Sequence, residues 1–373
     1  MKGEEVICIY YHRVSPVPEE YSILPEVFQS QVETLVRSGY RFITIAELIE
    51  FLAGKPGSGG AGKKRILLSF DDGFADFYLN VFPVLKKHQI KAVVFPVTDW
   101  MNEDELGMKN GIPAELSSLN SDQAIKSALK GDRRLFLSWG MAKEMAESGL
   151  VEFGSHSASH RIGFRSGRVK RFILSDDAHW KYCQIYQGRL KPGLPIFQKA
   201  SALCIRRFLP EPEALTQLTE YCQKQMSSSS KSRKELGSGL FELAEKLDPL
   251  GNYEPEIEAR SRILAELKGS KHIIEQRLGI ACPALCWPFG DYSGLAIELA
   301  QQAGYQIAFT TERGIIRRDS DRFSLPRFRV DPVSGPRLAR NLGRLKNPML
   351  DRIINGKPRS KKVAQDFAET ERD

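Results

Sequence analysis

Hydrophobic positions along the chain follow two rhythms. Short solid apolar runs, each buried on both faces as a strand of a parallel sheet would be, alternate with stretches in which apolar residues recur at helical spacing. Residues 6–11 form the first run and 40–44 the second. Ile66, Leu67 and Leu68, with Phe70, make the third, and further runs lie at 91–97, 284–287, 305–311 and 323–330. Between them, Phe28, Val32, Leu35 and Val36 mark a helix over 25–38 that Gly39 closes. Thr44 and Glu47 form a capping box for a helix over 45–52. Further helices are expected over 78–87, 139–148 (capped by Ser138), 260–278 and 295–303. This alternation of strand, helix and strand predicts an α/β fold with a parallel sheet, open or closed.

Three stretches break the rhythm. Residues 54–62 are a glycine-rich loop, and 99–134, of mixed polarity, read as a rim or lid. Residues 161–259 carry proline-rich turns, helical patterns and the low-complexity run MSSSSKSRKELGSG, which predicts an inserted helical subdomain. The expected organisation is a single domain over 1–335, interrupted by 161–259, and a tail over 336–373.

Composition narrows the class. Of 373 residues, 42% are hydrophobic and 27% charged, the balance of a globular protein with a substantial core. No window is long and apolar enough for a membrane span, and the start of the chain lacks a secretory pattern. Six scattered cysteines fit reduced thiols better than cross-links. The expectation from these features is a cytoplasmic protein. The net charge of +8 is confined to one end, because residues 313–373 hold 16 Lys and Arg against 8 Asp and Glu. There Leu338, Leu342, Leu345, Met349 and Ile353 recur at helical spacing among the basic residues. Such a helix either docks on the domain or meets anionic lipid at a membrane face. No aromatic-rich basic platform for nucleic acid accompanies it.

The chemistry starts where the third run ends, at Asp71 and Asp72 followed by Gly73. Two carboxylates side by side repel and lose hydration, so the pair persists where a cation compensates it or one member holds a proton. Alternatively the two aspartates cap the following helix. Downstream, VEFGSHSASH places His156 and His160 four residues apart after another short strand, a spacing that lets both imidazoles grip one metal ion. Two histidines and a carboxylate also serve iron oxygenases, but those have no spare second aspartate.

SFDDGF (69–74), SHSASH (155–160) and CWPFGDY (286–292), in that order, resemble the motif series of the polysaccharide deacetylases, the NodB-like carbohydrate esterases of family 4. The resemblance implies a distorted (β/α) barrel and a metal-dependent hydrolase that cleaves the amide of an N-acetylated amino sugar. It implies Asp71 as general base and Asp72, His156 and His160 as ligands of a divalent ion, zinc first, with cobalt or nickel as alternatives. The backbone N–H of Phe289 is the expected oxyanion donor. Two departures stand out. Cys286 occupies the place of the arginine that orients the base, and Leu325, Pro326 and Arg327 replace the Leu-x-His that supplies the acid. The chain is similar to a permuted branch, that of the poly-N-acetylglucosamine deacetylases, in which a histidine after an N-terminal strand takes the acid's role; Tyr11, His12 and Arg13 fit that pattern. The implied partner is an N-acetylated glycan or a lipid-linked sugar. The alternative is a carbohydrate-binding or scaffolding protein whose altered third motif marks lost activity.

Overall fold

The computed structural model describes residues 4–55, 64–109, 111–174, 179–228, 232–345 and 362–363. Most of the glycine-rich loop and, in the basic tail, Met349 and Ile353 lie outside the described residues. The chain divides into two units. The first comprises Met1–Ser159, Glu266–Tyr292 and Ile297–Lys362, and the second comprises His160–Ala265, Ser293–Ala296 and Val363–Asp373.

In the first unit, strand Lys64–Asp72 is the axis. It pairs in parallel with Val6–Tyr11 on one side and with Ala92–Pro96 and Tyr40–Phe42 on the other. Val6–Tyr11 pairs onward with Phe328–Arg329, and Ala92–Pro96 with Val151–Phe153. A bridge from Ser155 to Leu285 continues to Ala284–Cys286 and its partner Ile307–Phe309, and a bridge from Phe309 to Leu325 leads back toward Phe328. The path of parallel pairing therefore closes on itself, as a barrel requires. Its interior is apolar: Cys8, Leu67, Val93, Phe95, Ile307, Phe309 and Leu325 form one buried cluster. Gly154 is dictated by this filling, since a Cβ there would sit 2.3 Å from the Phe95 ring.

Several helices follow the sequence pattern. Thr44 and Glu47 cap Ile45–Leu52 reciprocally, and Ser138 caps Trp139–Glu147. The helix expected over 78–87 is instead a π-turn at Phe77–Val81 followed by Phe82–His88. Pro83 accounts for the break, because it has no N–H to donate backwards and its ring crowds the preceding turn. The basic helix forms at Gly335–Leu345, but Leu338, Leu342 and Leu345 are buried, and Gly335 packs against Ser30 and Thr34 of helix Pro25–Arg37. Through residue 345 its apolar stripe faces the domain. No helix of the described residues is long and apolar enough to cross a membrane.

The second unit, where the sequence suggests a helical insertion, has helices Trp180–Ile185, Pro212–Ser228 and Arg233–Lys246 together with an antiparallel sheet. Strand Ile162–Phe172 is the longest strand of that sheet and pairs with Pro195–Ser201. The sequence hides this strand because its second half, Arg165 to Arg171, is basic and only partly covered. Phe164, Phe197, Phe208, Leu218 and Leu240 form a separate core.

Candidate functional site

Parallel pairing sets the site at one end of the sheet. Asp71 and Asp72 are the last residues of their strand, level with Phe95 and Pro96. On the opposite side Tyr11 pairs with Phe70, so His12 leaves its strand beside the same end. The chain after Val151–Phe153 turns through Gly154, and His156 N–H donates to the Pro96 carbonyl at 3.0 Å. Asp71, Asp72, His156 and His160 are all buried. Of six non-glycine residues with positive φ among the described residues, four are Asp72, Ser157, His160 and Phe289. Such backbone strain gathers where the surroundings force a side chain or an N–H into one direction.

One donor atom each of Asp72, His156 and His160, a set that could hold a metal ion, lies within 4.8 Å of the others. His156 Nδ1 is 2.8 Å from the Cys286 carbonyl, which can only accept, so that nitrogen carries the proton and Nε2 presents its lone pair. Nε2 is 3.6 Å from Asp72 Oδ1. A histidine fixed this way through its far nitrogen is the arrangement metal sites use to orient a ligand. Burial lowers the pKa of His156 and keeps the ring neutral, although Asp71 opposes the shift. Asp71, His156 and Cys286 form a second convergent set. That set is the poorer cradle: burial pushes the Cys286 thiol well up, so it stays protonated, and Asp71 is already paired.

The partner of Asp71 is Arg327. Its Nη1 donates to Oδ1 and its Nη2 to Oδ2, both at 2.7 Å, and the guanidinium is fully buried. Nε donates to the Thr310 carbonyl at 2.9 Å and the Tyr10 ring lies beneath the guanidinium carbon at 4.2 Å. Burial alone would raise the Asp71 carboxyl, but the charge and the two hydrogen bonds of Arg327 hold it well below the usual carboxylate range. Cys286, where the arginine was expected, points its Sγ at Asp71 Oδ1 from 3.6 Å. A guanidinium thus meets Asp71 from the residue just before strand Phe328–Arg329 rather than from position 286. The signal was present in the sequence: an arginine inside Leu325–Phe328, an otherwise apolar run, needs a buried counter-charge.

His12 is half-buried, with ring contacts to Tyr10 at 5.8 Å and Tyr21 at 4.9 Å between centroids. Burial pushes its pKa down to about 4, while Asp71 raises it and Arg327 and His156 lower it further, so all three lie within electrostatic reach. Phe289, at φ 61°, sits in the turn Pro288–Gly290. Gly290 must be glycine, since a Cβ would fall 2.2 Å from Thr311 Oγ1. Trp287, fully buried, anchors the turn by donating from Nε1 to the Phe323 carbonyl at 2.9 Å.

The family described as polysaccharide deacetylase matches residues 58–173 of the chain. Residues 58–173 thus carry a polysaccharide deacetylase domain. Among curated relatives, a poly-beta-1,6-N-acetyl-D-glucosamine N-deacetylase of Escherichia coli K12 is 23% identical over 328 residues, covering 87% of this chain and 36% of its own. The protein of the same description from Staphylococcus aureus MSSA476 is 27% identical over 149 residues, 40% of this chain and 41% of its own. The chain therefore spans well under half the length of these curated relatives. Two solved structures share the fold. The deacetylase domain of BpsB from Bordetella bronchiseptica superposes with a TM-score of 0.56 at 22% identity, covering 89% of this chain and 98% of that one. A de-N-acetylase from Aggregatibacter actinomycetemcomitans gives 0.57 at 21%, covering 91% and 99%. The α/β fold of the deacetylase domains and the family both stand as the sequence implied.

Proposed function

We propose that this domain is a metal-dependent N-deacetylase acting on an N-acetylglucosamine polymer or its lipid-linked precursor. The observation that carries the reading is the pairing of an ionised, arginine-clamped Asp71 with the Asp72, His156 and His160 cluster, because an inactive binding module has no use for a buried carboxylate held ready beside a metal cradle. The names of the curated relatives supply the sugar.

In this reading Asp72, His156 and His160 hold a divalent ion. Imidazole and carboxylate donors suit zinc, cobalt or nickel, and such an ion activates water and polarises the amide carbonyl. Asp71 accepts the proton of the attacking water. The Phe289 N–H faces the oxygen of the amide as charge develops on it. His12, neutral at pH 7, takes up a proton within the cycle and passes it to the departing amine. A cytoplasmic enzyme at the inner membrane face is the weaker extension of this reading. It rests on the arginines of helix Gly335–Leu345, whose leucines are inside the fold.

The test is acetate release from N-acetylglucosamine oligosaccharides, with the protein stripped of metal and then resupplied with zinc, cobalt or nickel. Asp71→Asn should abolish turnover while metal stays bound, whereas Asp72→Ala and His156→Ala should lose the metal by elemental analysis. Oligosaccharide binding without acetate release under any metal would leave a carbohydrate-binding module as the function.

A further inference from the structure

We propose that Tyr21 is an aromatic platform for the sugar unit next to the one being deacetylated, an inference that rests on the function proposed above. Tyr21 and Phe241 are the exposed large aromatic side chains among the described residues. Phe241 packs edge-on to Phe172, at 5.0 Å, in the second unit's core region. Tyr21, 44% exposed, instead stands with its ring centroid 4.9 Å from that of His12, tilted by 51°. With a substrate's leaving nitrogen toward His12, the proposal places its next ring against Tyr21, the aromatic neighbour of that histidine.

The loop that presents Tyr21 is rigidly held. The N–H of Arg13 donates to the Tyr21 carbonyl at 3.2 Å, and that of Ser22 to the Glu19 carbonyl at 3.2 Å. The Arg13 guanidinium is 2% exposed and binds Asp76 at 2.7 Å and Glu19 at 3.1 Å. Burying an arginine and its aspartate to fix a surface loop is unusual for a mere connection, since each charge loses its hydration. The result is a ring on a held loop, 44% exposed, between the His12 ring and the Arg329 guanidinium. A tyrosine so held gives contact area with little loss of conformational freedom. The C–H groups of a pyranose face carry partial positive charge and match the negative face of the ring. Polar groups for the hydroxyls stand beside it. Arg329, 5.6 Å from the Tyr21 centroid, bridges the carboxylates of Glu20 and Asp331, each at 3.3 Å, and both carboxylates are solvent-exposed.

The experiment compares Tyr21→Ala, Tyr21→Phe and the unaltered chain on an N-acetylglucosamine pentasaccharide and on a small acetyl ester that reaches only the reacting centre. Tyr21→Ala should lose about tenfold more kcat/KM on the pentasaccharide than on the ester, chiefly through KM, equivalent to about 1.4 kcal/mol. Tyr21→Phe should restore most of it, and the pH profile should keep its shape. Equal losses on both substrates, or a shifted pH profile, would show that Tyr21 acts by positioning His12 and overturn the platform. An unaltered pentasaccharide rate in Tyr21→Ala would overturn it while leaving the deacetylase reading intact. If the unaltered chain neither cleaves the pentasaccharide nor binds it by calorimetry, both readings fall together.

Discussion

The pair of Arg327 and Asp71 offers the sharpest test of how the site is held together. Arg327 is fully buried and Asp71 is 2% exposed, with two hydrogen bonds of 2.7 Å between them. Replacing Arg327 with alanine strands the carboxylate in a low-dielectric interior. Breaking a buried pair by removing one partner costs about 3–5 kcal/mol, far beyond the 0–1 kcal/mol of a surface bridge. The carboxylate has one escape, which is to take up a proton. Burial already pushes its pKa upward, and Arg327, ahead of His156 and His12, pulls it down. In the native chain the folded pKa is depressed, so the pair's contribution to stability is fully present above the ordinary carboxylate range and is lost only as the pH falls toward the folded value. In Arg327→Ala the folded pKa is raised instead, and stability should improve as the pH is lowered toward it.

Urea unfolding at several pH values measures this directly. Arg327→Ala should be destabilised by about 3–5 kcal/mol at pH 8 and by less at pH 5. Combining it with Asp71→Asn removes both charges, so the double variant should be less destabilised than the sum of the single ones, with a coupling of about 2–3 kcal/mol. In acetate release, the acid side of the pH profile should move upward in Arg327→Ala, because a base that holds its proton cannot accept another. Arg327→Lys keeps the charge but loses the two-pronged geometry and should fall between. Additive single effects within about 0.5 kcal/mol, or a variant as stable as the native chain at pH 8, would refute the reasoning.

Other outcomes follow from the same geometry. In the second unit Glu254, pulled down to about 2 by Arg262 and Arg207 against the opposing effect of its burial, should stabilise the fold above about pH 4.5. That contribution should fade as the pH falls toward 2, and Glu254→Gln should flatten the acid arm of a thermal-unfolding profile. Cys286→Ser should preserve the fold and most activity, since Arg327 rather than the thiol orients Asp71; a loss beyond about tenfold in acetate release would contradict that. Vesicle sedimentation at low salt should show weak binding that depends on the arginines of Gly335–Leu345, and equal binding after truncation beyond Pro336 would remove the membrane contact.

What the sequence revealed and what it hid divide along physical lines. The strand at Ile66–Phe70 and the capping box at Thr44 were legible because their causes are local: an apolar run, and a threonine three residues before a glutamate. Pro83 was equally local, and its effect on the helix from Phe77 was readable in principle from its missing N–H. The strand Ile162–Phe172 was not, because its basic half owes its conformation to pairing with Pro195–Ser201, a partner far along the chain. The same distinction holds in the site. His156 and His160 declared themselves by spacing, while the counter-ion of Asp71 was hidden 256 residues away, just before a short strand that meets it only after the sheet closes.

The displacement of that arginine explains why the altered third motif does not imply an inert protein. What Asp71 requires in its proposed role is a guanidinium on its carboxylate from a fixed direction, and a closed ring of short parallel strands brings several strand ends around one carboxylate. Position 286 and position 327 both face Asp71 across that ring, since Cys286 Sγ and Arg327 Nη1 approach the same oxygen, Oδ1. Were both positions arginine, two buried cations would compete for one aspartate, and the second would lack a counter-charge. A small neutral side chain at 286 is therefore the consequence of the arginine at 327. The loss of the motif's usual residue and the burial of Arg327 are two sides of one electrostatic constraint.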